Sequence, residues 1–457
     1  MPYVEGFGTW PFGEEWLWEA VACVYLPLLD LLDGAPVTLG LTPVLCDQLE
    51  AMRGDAGERY LRFLRDVRAP IYDDDAGGFD ESGEPELAAE LRRAAADYTR
   101  AEQRFGDRGR DLVSAFGALR GVELWTSAAT HGLLPLMATD AGLRLQVATG
   151  TASHMRRFGD RGGGFWLPEC AYVPGLEREL ADHGVRVFCI DQTRTAGFDH
   201  LTPVATDAGP VALPIDWDTV QLIWNDESGY PAHGTYRDYW GRTVHDLKPW
   251  SNAGQPYDHE AALALAREHA REFVRRAGRR LAGGGLLCCA LDTELLGHWW
   301  YEGLAWLEAV FDEAKAEGVR LVTVSEGIEL VRPVRRAVAP SSWGHGKDFT
   351  TWEGPAVAQL AFDARAAELR TVAAVARHGV PHAALERAAR ELLAMQASDW
   401  TFMVTRDLAA DYPAERMRLH GAALDAALTA LTDSAAAPDP SLRGLAPHLD
   451  LSPLTTP

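Results

Sequence analysis

Two acidic residues close apolar runs of the same kind in distant parts of the chain. Gly164-Phe165-Trp166-Leu167-Pro168-Glu169 stops at a proline and presents a carboxylate at its tip; Gly285-Leu286-Leu287-Cys288-Cys289-Ala290-Leu291-Asp292 ends the same way. Apolar runs of this length suit strands covered on both faces of a parallel sheet, and two strand ends of one α/β sheet can meet over one pocket. Carboxyl groups paired in that way cleave glycosidic bonds. One carboxylate attacks the anomeric carbon, while the other, protonated, donates to the leaving oxygen and then takes the proton of the incoming hydroxyl. The charge on the attacking group itself favours the protonated form of its partner, because like charges close together resist a second ionisation. A strand-end acid without such a pairing is ordinarily a helix cap or an ion-pair partner.

Other residues extend the same chemistry. His131 follows the apolar run Val122–Thr126 and can exchange a hydrogen bond with a sugar hydroxyl; a histidine satisfied by the backbone is the plainer alternative. Trp10, Trp250, Trp343 and Trp352 can each offer a flat apolar face to a glucose ring, with core packing as the competing role; for Trp224, Trp240 and Trp400 the two roles are evenly matched. Asp399 can accept from sugar hydroxyls or cap a helix. Tyr230 lies in a long irregular stretch, 225–257, rich in glycine, proline and aromatics. Such loops are usually functional, and a lid that shuts water out is expected here. His378 and His382 have a metal-like spacing, but Gly379 and Pro381 break any helix between them, so no metal and no cofactor is expected.

The elements that must carry these residues alternate between strand and helix. Strands are expected over 36–41, 122–126, 164–168, 185–190, 211–215, 220–224, 285–292 and 319–324. Helices are expected over 14–26, interrupted by Pro27, and over 143–158, 174–183, 258–281 and 304–317. Alternation of this kind implies a parallel sheet with its chemistry at the C-terminal strand ends. Residues 46–119 read as helical and charged, with Ile71 to Pro85 as an exposed loop rich in Asp and Gly. Past a linker at 333–340 the pattern is helical again: 355–378, 382–402 and 414–432. The expected organisation is a catalytic barrel from 1–55 and 120–332, a helical insertion at 56–119, a C-terminal helical domain at 340–435 and a flexible tail at 436–457.

A formal net charge of −23 disfavours nucleic acid and anionic membrane as partners, since both need a basic footprint; a neutral polymer is indifferent to it. Six cysteines without a Cys-x-x-Cys motif read as reduced core thiols. No run approaches a membrane span and the N-terminus lacks a basic-then-apolar signal, so a cytoplasmic location is expected.

Several segments, matched in order, resemble glycoside hydrolase family 57, and within it the α-1,4-glucan branching enzymes. Trp166-Leu167-Pro168-Glu169 is similar to the motif carrying the nucleophile, and Asp292 to Trp300 to the motif carrying the general acid. Ala128 to Pro135 matches the motif whose histidine, here His131, lines a sugar subsite. Ser341 to Trp352 looks like a branching-enzyme signature that sets two tryptophans over the cleft; Ser398-Asp399-Trp400, Trp10 to Gly13 and Leu247 to Trp250 resemble further segments. The resemblance implies a distorted (β/α)7 barrel with a C-terminal all-helical domain, an α-1,4-glucan as partner, and transfer of the cut chain to a 6-hydroxyl. A related α-amylase or 4-α-glucanotransferase is the alternative. The family's barrel opens with a strand ending in His-x-His just before the position of Pro2-Tyr3-Val4. The chain here starts at Met1, so that strand is expected to be lacking, which leaves a glucan-binding protein of low activity as another alternative. A deacetylase-like barrel is weaker, for want of a metal triad.

Overall fold

The computed structural model describes residues 1–9, 11–159, 162–431, 442 and 444–455. Trp10 therefore lies outside the described residues, as does much of the segment from 432 to 443. Short apolar runs form the strands β1 (Thr38–Gly40), β2 (Glu123–Ser127), β3 (Gly164–Trp166), β4 (Val187–Ile190), β5 (Val204–Ala205), β6 (Val211–Pro214) and β7 (Val334–Arg335). Their order in the sheet is β1-β2-β3-β4-β6-β5-β7. All neighbours run parallel except β5 against β6. Register is set by apolar partners such as Leu39 with Leu124 and Phe165 with Phe188. Gly164 has to be glycine: a Cβ there would stand 1.9 Å from the indole nitrogen of Trp125 on β2.

Beyond β6 the wall continues without regular strands. Residues 286–292 follow β6 through one parallel bridge, Ile215 to Cys288, in which the Asp216 amide donates to the Cys288 carbonyl at 2.8 Å. The 319–324 segment then returns to the start of the sheet, where the Val324 amide donates to Thr38 Oγ1 at 2.9 Å. Glu123 ties this end together. Its carboxylate accepts from the Trp125 indole, from Thr38, and from the amide and hydroxyl of Ser325. The result is an α/β fold, a distorted (β/α)7 barrel with added helices, as expected. Residues 286–291 and 321–324 stay only half-buried because they border a cavity of about 2340 Å³.

The strands expected at 285–292 and 319–324 are the irregular wall segments just described, and three further expected elements take another form. Residues 220–224 are not a strand but the end of a helix, Trp217–Trp224, whose period puts Val220 and Ile223 inward. Residues 71–85 are not a loop. The helix Ala69–Ser82 runs through their Asp and Gly residues and stops at Gly83, which takes the left-handed conformation that glycine adopts without a Cβ penalty. Tyr72 and Ala76 on its inner face pack against Ala88 and Leu91 of the helix Pro85–Asp107. The tail is not loose where it is described: Leu442, Leu445, Leu451 and Leu454 are buried in a core shared with Leu145, Leu385 and Leu393.

Pro27 does not interrupt the first helix. Five residues of wider π geometry, Val21–Tyr25, precede it, and the chain stays helical from Glu14 to Leu31; such bulges recur at functional positions. Tyr25, at the end of the bulge, reaches the site described below. The C-terminal helices Ala358–His378, Ala383–Met395, Ser398–Thr405 and Tyr412–Thr429 pack on one another around Leu392, Trp400, Met417 and Leu424. They meet the barrel at a bridge between Gly132 and Ala397.

Candidate active site

Glu169 sits where β3 turns into a 3-10 turn, Pro168–Cys170. Its backbone is left-handed, with φ at 58°, and so are Cys170 at 51° and His131 at 59°. Non-glycine residues held in that region carry strain, and they cluster at functional sites. The strain aims the Glu169 carboxylate at two donors. Oε1 accepts from the Ser398 hydroxyl at 2.7 Å, and Oε2 accepts from the Trp343 indole at 2.9 Å. The Trp343 amide also donates to the Glu169 carbonyl at 3.0 Å. His131 Nδ1 lies 2.9 Å from Ser398 Oγ and 3.6 Å from Glu169 Oε1. Burial pushes the His131 ring below its ordinary value, against the opposing pull of the Glu169 charge, so the imidazole is neutral.

Asp292 lines the same cavity as Glu169, just before the 3-10 turn Thr293–Leu295. Water in the cavity reaches its side chain, yet protein surrounds the site. This withdrawal from bulk solvent is the main reason its carboxyl is pushed up to about 8, and the charges of Glu294, Glu169 and Asp399 add to it. Glu294 accepts a hydrogen bond from the hydroxyl of Tyr25, the π-bulge residue. Asp399, on the same cavity, has one oxygen 3.4 Å from the ammonium of Met1. Its other oxygen, Oδ2, is buried without a partner and is suited to accept from a ligand hydroxyl. Two carboxyl groups therefore share one cavity in unlike environments. Glu169 is clasped by two donors, while burial and neighbouring charges push Asp292 up to about 8. Surroundings so unlike suit one group to attack and the other to give a proton.

The remaining residues singled out by sequence divide. Trp343 is at the site, but its indole N–H serves Glu169, and its ring is stacked on Trp224 at 6.2 Å between centroids and tilted against Trp166 at 4.8 Å. Trp224 is 43% exposed and on the cavity wall, so it presents a free ring face. Trp352 borders the cavity but is only 2% exposed, packed with Leu133 and Ala171, so it offers little free ring face. Trp250 meets Phe79 of the helix Ala69–Ser82 edge-on at 5.9 Å and is not on the cavity wall. Tyr230 is 7% exposed and stacks on His269 at 4.3 Å, so it anchors the long loop rather than covering the cavity. Trp400 is core, its indole donating to the Ala394 carbonyl. Trp240, by contrast, is 70% exposed at the cavity rim beside Trp299. His298 faces the cavity; burial and the Lys248 charge push it down to about 4. No cluster of three or more metal-binding side chains forms among the described residues.

Sequence reading passed over Ser398, Tyr25 and Glu294. Ser398 adjoins the flagged Asp399, and Glu294 stands two positions after Asp292, but no periodicity signals that either reaches the other wall. Asp191, a third acid at the end of a strand, has a different role. It is buried and bonded to Lys347 Nζ at 2.9 Å and to the amide and hydroxyl of Thr193. Lys347 also covers the Trp217 ring at 3.2 Å, so the pair pins the loop that carries Trp343. Lys347→Met should strand a buried carboxylate and lower unfolding free energy by about 3–5 kcal/mol, measured by urea denaturation. Adding Asp191→Asn should recover much of that loss.

Residues 111–340 match the family described as glycosyl hydrolase family 57, and residues 363–446 match the family described as 1,4-alpha-glucan branching enzyme, C-terminal. The chain belongs to glycosyl hydrolase family 57. It is 31% identical to a 1,4-alpha-glucan branching enzyme of Thermococcus kodakarensis, over 92% of this chain and 70% of that protein. It is 33% identical to a probable 1,4-alpha-glucan branching enzyme of Mycobacterium tuberculosis, over 92% of this chain and 88% of that protein. The crystal structure of a GH57-type branching enzyme from Pyrococcus horikoshii superposes with a TM-score of 0.91 at 26% identity, covering 100% of this chain and 95% of that one. No helix among the described residues is long and apolar enough to cross a membrane.

Proposed function

We propose that this protein is a 1,4-α-glucan branching enzyme acting by retaining double displacement. Glu169 attacks the anomeric carbon of an α-1,4 linkage as Asp292 gives its proton to the departing 4-oxygen, leaving a glycosyl ester on Glu169. Asp292, now ionised, takes the proton of an incoming 6-hydroxyl as that oxygen displaces Glu169 and forms the α-1,6 bond, which leaves Asp292 protonated and Glu169 ionised as at the start. The observation that carries this reading is the placing of the two acids on one cavity in unlike surroundings: Glu169 held by two donors, Asp292 pushed up to about 8 by burial and the neighbouring charges of Glu294, Glu169 and Asp399. The cavity, at about 2340 Å³, exceeds the roughly 300–1,000 Å³ of small-ligand pockets and suits a polymer with both donor and acceptor chains. Trp224 and Trp240 offer exposed rings to sugar faces, and Asp399 lines the same cavity.

Incubation with amylose should weaken iodine colour without releasing matching reducing ends, and proton NMR should show new α-1,6 anomeric signals. Reducing ends without branches would make the protein a hydrolase. Lengthened linear chains would make it a 4-α-glucanotransferase, and binding without turnover would leave only a glucan-binding protein.

A further inference from the structure

We propose that Ser398 is a positioning residue for the nucleophile, and that it fixes His131 as the Nδ1–H tautomer with a bare Nε2 that must accept its hydrogen bond from the sugar. This rests on the assignment of Glu169 as nucleophile. A serine hydroxyl has one proton to give and lone pairs to receive. Two polar atoms lie within bonding reach of Ser398 Oγ: Glu169 Oε1 at 2.7 Å and His131 Nδ1 at 2.9 Å. A carboxylate oxygen only accepts, so the hydroxyl proton belongs to Glu169. The remaining contact then holds only if Nδ1 carries a hydrogen and Ser398 accepts it. Because burial keeps the imidazole neutral, its second nitrogen has no proton. His131 lines the cavity, so it presents an acceptor there and selects a substrate hydroxyl that donates.

The backbone makes this arrangement rigid. The Ser398 amide donates to the His131 carbonyl at 3.2 Å, and the adjoining residues Gly132 and Ala397 form a bridge. Histidine and serine thus clasp each other through both main chain and side chain, and the clasp, with the Trp343 indole on Oε2, leaves the Glu169 carboxylate one orientation. The start of the helix Ser398–Thr405 is therefore part of the reaction centre, although that helix lies outside the barrel.

The test reads tautomer and turnover separately. In uniformly ¹⁵N-histidine-labelled protein, two-bond proton–nitrogen correlation should show His131 with a pyrrole-like Nδ1 and a pyridine-like Nε2, assigned by loss of the signal in His131→Gln. In Ser398→Ala the same ring should lose that pattern. The alanine variant should also show kcat down by about tenfold to a hundredfold, the range for losing one hydrogen bond to a charged group. KM should stay within about twofold, and Ser398→Thr, which keeps the hydroxyl, should restore most of kcat. A pyrrole-like Nε2 in the wild-type protein, or an alanine variant with undiminished kcat, overturns the proposal. The tautomer is read without substrate, so it decides the Ser398–His131 relation even if the amylose assay removes the branching activity.

Discussion

Glu169→Gln should lower transfer from amylose by about four orders of magnitude or more, the scale of losing a covalent nucleophile, while the protein remains folded. The size follows from what the amide cannot do. It carries no charge to attack with, and it has one acceptor where the site supplies two donors, the Ser398 hydroxyl and the Trp343 indole. One of those donors must face the amide NH₂, so the side chain turns or a bond is lost. In the smaller variant Glu169→Ala an anion from outside can occupy the vacated space: azide or formate should partly restore cleavage of an activated glycosyl fluoride, giving the product of opposite anomeric configuration. Near-normal branching by the Glu169→Gln protein would remove Glu169 from the mechanism altogether.

Asp292→Asn should cost about 10²–10⁴-fold with amylose, the usual contribution of a placed general acid. It should cost far less in the first step with a glycosyl fluoride, whose leaving group needs no proton. The wild-type rate should also fall as pH rises through about 8, where Asp292 loses the proton it must donate, and the asparagine variant acting on the fluoride should lose that alkaline limb. Stability moves in a definite direction as well. The folded carboxyl holds its proton up to about 8, whereas the unfolded one releases it near 3.8. Between those values the native state binds more protons, so this group's contribution falls as pH rises and is lost above about 8. Asp292→Asn should therefore flatten the decline of Tm across that window. A decline as steep as that of the wild type would mean that Asp292 is not the group responsible.

The two acids were legible because both end apolar runs that follow the barrel wall, although only the Glu169 run is a regular strand and the Asp292 run follows β6 through a single bridge. What the neighbours of Glu169 do was not legible, because their contacts depend on how distant segments dock. Trp343 reads as a sugar platform by composition, but only the path of the 341–352 loop shows its N–H on Glu169. Trp352 and Tyr230 are aromatic in the right segments, yet both rings are enclosed. Asp191 shows the limit from the other side: it is a strand-end acid like Glu169, and Lys347 holds it. The helix Ala69–Ser82 was hidden by Asp and Gly, whose weak helix preference is overridden by packing against the next helix. The strand expected at 220–224 failed because a short apolar run fits either period; the preceding Asp216 to Asp218 signalled a helix start.

The seam between barrel and C-terminal helices carries a polar network beside its apolar core. Thr130 donates to the Leu393 carbonyl, Gln146 to Gln396, Gln396 to Glu368, and Glu368 receives the amides of Ala138 and Thr139. Each of these polar groups is matched to a particular partner, and an unmatched one left behind is penalised. Neither half can then be grafted onto a relative's counterpart unless both sides of the seam travel together. Hybrid proteins that split between residues 350 and 390 should express poorly for that reason, and directed recombination of this scaffold is best confined to crossovers elsewhere.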